Sequence, residues 1–344
     1  MLINESKNHY FYLHKWCILT KGHVRSTITD FSRERIKLIP NDLYDLIIKY
    51  NGNKVSKLLT DASNDEDRTV ISEYFTFLYD EEFIVLTENE EKEFNVDINT
   101  EFDFPQIVNN AIIDYNNKST YSINNTIYQL NQLGCQSLHL RFYTIFNSIQ
   151  LDTILSSIKN TTIRDVSLFV KYIDDNFVNE IKNLIIEKFM RISQVIIHHY
   201  PINKEKETIE NKHFVYSSAP IDSCNYCGVI NPIFFDINKI TYLTGQNHNT
   251  CLYKKIAIDV KGNIKNCPSM KKTFGNIKKT TLSEALMNEE FSKLWNIKKA
   301  DINICKDCEF RLVCTDCRAY IGNDIYAKPK KCDYDPYTAT WKNS

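Results

Sequence analysis

Glycine is scarce, with 8 residues in a chain of 344, well under the usual ~7%. Nothing reads as GxGxxG or as a Walker loop, so a glycine-rich cradle for phosphate is not expected. No apolar run reaches the ~20 residues that a membrane-spanning helix needs. The opening MLINESKNHY has no basic stretch followed by an apolar one, and no signal peptide is expected. Cysteine is nearly missing from the first 223 residues, which hold only Cys17 and Cys135. With no secretory signal the expected compartment is the cytoplasm, where thiols stay reduced.

What is present is ordinary in bulk and uneven in detail. Hydrophobic residues make up 43% and charged residues 25%, as in a soluble globular protein. The length suits two or three domains. A net charge of −1 hides an asymmetry. Residues 61–103 carry fifteen acids against Arg68 and Lys92, and residues 251–280 carry eight lysines against Asp259. Solvated faces account for both. The lysines also suit nearby thiolates or an acidic peptide. Nucleic acid is not an expected partner, because the lysines are not interleaved with several aromatics.

The periodicity divides the chain in three. In residues 1–100, short strands are predicted around Ile28 and over Ile36–Ile39. A helix capped by Asn41 or Asp42 follows, with Leu43, Leu46, Ile47 and Tyr50 on one face and its end at Asn51-Gly52. A second helix carries Ile71, Tyr74, Phe75 and Leu78, and Phe83–Leu86 reads as a strand. This order is winged-helix-like. Residues 88–104 read as an acidic linker. Over 105–220, strands at 111–115, 138–142, 166–170 and 195–198 alternate with helices at 123–133, 149–158 and 177–189, with Gly134 stopping the first. Such alternation means βα units and a parallel sheet, here half of a barrel and therefore open or partial. Residues 221–344 are loop-rich. A strand at 255–260 turns back through Lys261-Gly262, and one helix is predicted from Thr281 to Trp295, opened by the capping box Thr281–Glu284.

Nine of the eleven cysteines lie between Cys224 and Cys332. In a reducing compartment they point to metal ligation rather than disulfides. The densest run is CKDCEFRLVCTDC, with Cys305-x2-Cys308 and Cys314-x2-Cys317. A CxxC loop sets two thiolates about one site, and two such pairs can share a site or divide between two. Cys224, Cys227, Cys251, Cys267 and Cys332 supply further ligands, enough for two four-thiolate sites with one thiol left over. Spacing alone leaves zinc and iron–sulfur both open.

The set Cys251-x10-Gly262-x4-Cys267, Cys305-x2-Cys308-x5-Cys314-x2-Cys317 and Cys332 resembles the seven-cysteine pattern of SPASM domains, although its last pair has two intervening residues where the general pattern has three. SPASM domains are C-terminal extensions of peptide-modifying radical SAM enzymes. More specifically, KIAIDVKGNIKNCPSM, FGNI, CKDCEFRLVCTDCRAY and, near the N-terminus, IPNDLYDLI are similar to the SPASM-domain maturase of grasp-with-spasm systems. Those systems make ribosomally synthesised, modified peptides with an ATP-grasp ligase. The resemblance implies two 4Fe–4S clusters. Cys305, Cys308, Cys314 and Cys332 would hold one. Cys251, Cys267, Cys317 and Cys227, with Cys224 as the alternative to Cys227, would hold the other. It further implies a SPASM domain over 221–344, a degenerate radical-SAM-like partial barrel over 105–220 and a leader-peptide-recognition module over 1–100. The implied partners are a precursor peptide and an ATP-grasp ligase.

One part of that family's pattern is missing. Radical SAM chemistry needs a CxxxCxxC loop after the first barrel strand, and the corresponding YNNKST, residues 115–120, has no cysteine. Neither S-adenosylmethionine nor its radical cleavage is therefore expected, and catalytic residues are not assigned. His198-His199, at the end of a predicted strand, should point to opposite faces. The expected role is a peptide-binding iron–sulfur protein assisting the ligase. The alternatives are a redox enzyme passing electrons from the clusters to a peptide, and a zinc-stapled interaction protein.

Overall fold

The computed structural model describes residues 2–95 and 97–342. The chain opens with α1 (Leu2–Glu5), β1 (Tyr10–Leu13) and an antiparallel meander of β2 (Cys17–Lys21), β3 (Ser26–Asp30) and β4 (Arg35–Ile39). Three helices follow, α2 (Asn41–Tyr50), α3 (Val55–Thr60) and α4 (Asp65–Asp80), and then β5 (Ile84–Thr87), which pairs back on β1. Leu43, Ile47 and Tyr50 of α2 are buried as their spacing implies. The cap differs from expectation. Pro40 holds the N-cap position without a side-chain bond, and Asn41 instead accepts from the Ser26 hydroxyl at 2.6 Å. Strands β1 and β2 and helix α3 were not predicted, because segments of four to six residues are too short for a period to emerge.

The strand–helix alternation then appears as predicted: β6 (Asn110–Tyr115), α5 (Ile123–Gln132), β7 (Ser137–Phe142), α6 (Ser148–Ser156), β8 (Asp165–Lys171), α7 (Asp175–Lys188) and β9 (Ile192–His198). Gly134 ends α5 at φ +76°, and the N–H of Cys135 closes the turn on the Leu130 carbonyl at 3.1 Å. The sheet is larger than four strands. A hairpin of β10 (Lys204–Ile209) and β11 (Lys212–Ser217) sets β11 parallel to β9. Beyond residue 220, β12 (Lys255–Ile258) lies parallel to β6 and turns into β13 (Ile264–Lys265). The order is β10-β11-β9-β8-β7-β6-β12-β13, an open eight-stranded sheet whose six central strands are parallel. Its edge strand β10, KEKETI, is mostly exposed and charged, which discourages pairing with another chain and also removes any apolar alternation.

The remaining segment is loop-rich, as expected, with α8 (Lys239–Asn247), α9 (Leu282–Leu286), α10 (Glu289–Ser292), β14 (Tyr334–Asp335) and β15 (Thr340–Trp341). The capping box Thr281–Glu284 forms. The single helix predicted from Thr281 to Trp295 is broken, because Asn288 caps a new turn and starts α10. Among the described residues no helix is long and apolar enough to cross a membrane.

The first and last parts of the chain are packed together. The β2–β3 hairpin lies on residues 307–311. The N–H of His23 donates to the Asp307 carbonyl at 2.9 Å, the Thr27 hydroxyl to the Glu309 carbonyl at 2.9 Å, and Arg25 Nε to buried Glu309 at 2.8 Å. A Cβ at Gly22 would come within 2.8 Å of the Glu309 Cβ and 2.4 Å of the Arg25 carbonyl oxygen. Phe94 stacks on Tyr12 and Asp103 accepts from the Tyr253 hydroxyl at 2.5 Å, so the predicted linker is tied at both ends. Gly22→Val should therefore lift the hairpin and destabilise the protein by about 1–3 kcal/mol in denaturant unfolding; an unchanged midpoint would show that the hairpin's contact contributes nothing.

Candidate metal centres

All eleven cysteines are free thiols. Eight of them converge in two sets. The first is built by short backbone turns rather than by long elements. A 3-10 turn over Cys305–Asp307 closes with the Cys308 N–H on the Cys305 carbonyl at 3.1 Å. The Cys314 N–H reaches the Phe310 carbonyl at 3.0 Å, and the Cys332 N–H the Pro329 carbonyl at 3.0 Å. A β-bridge between Ile230 and Cys332 brings the last thiol in. Cys305, Cys308, Cys314 and Cys332 line one small cavity, walled by Phe310, Tyr334 and Trp341 and with Lys299 on its border. Ile304, just before Cys305, adopts φ 68°. That conformation is an outlier for a β-branched residue, and it aims the chain into the turn.

The second set gathers Cys227, Cys251, Cys267 and Cys317. Cys251 precedes β12 and Cys267 follows β13, so the sheet edge fixes both. Cys267 lies in the field of Cys251 and Cys227, and Cys317 in that of the same two. Gly228 makes the approach possible. It sits at φ +86°, and a Cβ there would lie 2.8 Å from the Cys317 sulfur and 2.9 Å from the Tyr320 ring. Cys224 stands outside the set. Its carbonyl accepts from the Cys227 N–H and from the Ser269 hydroxyl, and its charge bears on Tyr143. Cys17 and Cys135 are buried elsewhere.

Burial dominates the electrostatics. It pushes the thiols of Cys305 and Cys317 up to about 11 and raises those of Cys308, Cys314 and Cys267 as well. Such thiols resist ionisation until a metal takes the thiolate. Two lysines oppose that rise, Lys299 at Cys305 and Cys314 and Lys255 at Cys267. Among the described residues no three His, Cys, Asp or Glu side chains are arranged to hold a single metal ion. The donor sets fit a multi-iron cluster in kind, with four sulfurs each and basic residues beside them.

One buried carboxylate connects the sets. Asp316, between Cys314 and Cys317, accepts from Lys299 at 3.1 Å, from Arg318 at 2.6 Å and from Asn249 at 2.6 Å. Asn249 in turn accepts the N–H groups of Cys251 and Leu252 at 3.1 and 2.9 Å, which caps the turn that presents Cys251. Asn249, Asp316 and Gly228 were not singled out from the sequence; the only signal was that they lie within two residues of cysteines.

His198 and His199 depart from expectation. His199 takes φ 58°, which breaks the strand's alternation, so their Nδ1 atoms lie 2.7 Å apart instead of on opposite faces. His198 is buried on the Phe142 carbonyl, and burial lowers its pKa. At the carboxyl ends of β6 and β7, Asp114 and Arg141 form a buried pair at 2.6 Å, and burial raises the Asp114 carboxyl.

Two substitutions follow from this geometry. Gly228→Ala should dismantle the second set while sparing the first, so bound metal should fall by about half; full metal content would contradict the close approach. Asp316→Ala leaves Lys299 and Arg318 buried without their carboxylate, which costs about 3–5 kcal/mol, read as a lower thermal midpoint of the metal-loaded protein.

Comparison with known proteins agrees with the cysteine pattern. No curated protein matches the chain. Solved structures of Streptococcus suis SuiB align at a TM-score of 0.36 and 10% identity, covering 95% of this chain and 99% of that one. SuiB bound to precursor peptide SuiA gives 0.34 and 8%, covering 94% and 99%, and SuiB bound to S-adenosylmethionine gives 0.35 and 9%, covering 95% and 99%. The family match is local and specific: residues 250–309, which include Cys251, Cys267, Cys305 and Cys308, match SPASM, the iron–sulfur cluster-binding domain.

Proposed function

We propose that this chain is an iron–sulfur protein of ribosomally synthesised peptide maturation, which binds a precursor peptide and assists an ATP-grasp ligase. Cys305, Cys308, Cys314 and Cys332 hold one 4Fe–4S cluster, and Cys227, Cys251, Cys267 and Cys317 hold the second. The observation that carries the reading is the meeting of eight thiols in two sets, within and just beyond the SPASM match. A bound cluster supplies a covalent cross-link to a loop-rich segment, together with one-electron capacity. Cys227 rather than Cys224 completes the second set, because Cys227 is the one that acts on Cys267 and Cys317.

The role assigned to each part follows from its position. Residues 1–100 form the peptide-recognition module, and its hairpin rests on the Cys305–Cys314 loop, which supports transmission of peptide binding to the cluster-bearing segment. Residues 105–220 form a degenerate barrel. The loop after β6 begins at Asn116 and contains no cysteine, so radical cleavage of S-adenosylmethionine is not assigned to this chain. The protein acts in the cytoplasm as an adaptor that presents peptide to its ligase.

The test uses full-length protein made without oxygen. The precursor peptide should bind it, and the rate of the partner ligase on that peptide should rise on its addition. S-adenosylmethionine should neither bind nor be cleaved under reducing conditions. No peptide binding and no ligase stimulation would overturn the adaptor role. A reduction-dependent mass change in the peptide would favour the redox enzyme instead.

A further inference from the structure

Lys255 and Lys299 occupy matching places in the two sets. Lys255 opens β12, so its backbone is fixed by the parallel pairing with Asn110. Its ammonium lies 3.6 Å from the Cys251 sulfur, and the anionic groups bearing on it are the sulfurs of Cys251, Cys267 and Cys227. Lys299 starts a 3-10 turn and is 8% exposed. It borders the cavity lined by the first set, and its charge bears on Cys314 and Cys305. Asp316 takes up part of that charge, yet Arg318 also pairs with Asp316. Two cations against one carboxylate leave a net positive charge beside the first set.

A buried ammonium is unfavourable unless anions compensate it. Four thiolates around an iron–sulfur core do so, because the whole carries net negative charge. Adding an electron makes that core more negative, and a fixed ammonium at short range in a poorly hydrated site favours the reduced form. Net charge and hydrogen bonds to the sulfurs are among the determinants of cluster potential.

We propose that Lys255 and Lys299 are charge-compensating residues, one for each cluster, which raise the two reduction potentials independently. This rests on the two-cluster reading above. It adds that the chain tunes its clusters for reduction by a low-potential one-electron donor, and it names the side chains that do so. Both act through the sulfurs and are positioning residues, not catalytic ones.

The experiment is a dithionite titration of full-length holoprotein followed by electron paramagnetic resonance, with iron counted in every sample. The Cys251→Ala/Cys267→Ala variant assigns each signal to its set. Lys255→Met should move the midpoint of the Cys251 cluster to more negative potential and leave the other in place. Lys299→Met should do the reverse. Lys255→Arg and Lys299→Arg, which keep the charge, should restore both midpoints. Unmoved midpoints at full iron content would overturn the proposal and leave the two-cluster reading standing. Loss of a cluster in a Met variant that the Arg variant does not restore would also overturn it, since packing rather than charge would then be at work. Wild-type protein without iron would end both.

Discussion

The gathering of eight cysteines, four of them buried, in a segment with almost no regular structure is the constraint on which the rest depends. From residue 221 onward the elements are helices of four to nine residues and strands of two to four. Pieces of that size do not hold a fold by themselves. Outside the stretch from Ile256 to Phe291, apolar clusters there include the cysteines themselves, as where Cys314 and Cys317 pack with Ile230. Ile256, Ile258, Ile264, Leu282 and Phe291 anchor the middle of the segment in the main core, and two multidentate cross-links would fix the loops on either side.

The same constraint organises what surrounds the sulfurs. The second set hangs from the sheet edge, because Cys251 and Cys267 flank β12 and β13. The loop that carries Cys308 and Cys314 is held by the β2–β3 hairpin, whose Arg25 reaches Glu309 between them. Asp316 and Asn249 join one set to the other through hydrogen bonds removed from water, where they are strongest and where an unpaired member is most damaging. Hydrogen bonds and strand pairing thus tie the first hundred residues and the sheet to the cysteine-bearing segment. Ordering the sulfurs orders contacts on both sides of them.

Much of this was legible in the residues. The βα alternation of 110–198 reads directly from apolar spacing because both faces of a parallel sheet are covered, and even Gly134 and the Thr281–Glu284 box act as their types imply. The division of the cysteines came from a family resemblance, since spacing left one site or two equally open. What escaped has physical reasons. β10 is mostly charged because it is an exposed edge. β12 reads as a hairpin arm, and nothing local reveals that it adds to a strand more than 140 residues earlier. The helix expected from Thr281 to Trp295 breaks at Asn288, whose capping preference outweighs the apolar period around it. Gly228 and Asp316 matter through long-range contacts, which no period encodes.

The most direct test of the account is metal identity and count per chain in protein prepared without oxygen, compared across wild type, Cys305→Ala/Cys308→Ala and Cys251→Ala/Cys267→Ala. Two four-iron clusters predict roughly eight irons in the wild type, with about half retained in each double variant and a different signal lost from each. Zinc in place of iron, or a loss of all metal from either variant alone, would contradict two separate iron–sulfur centres.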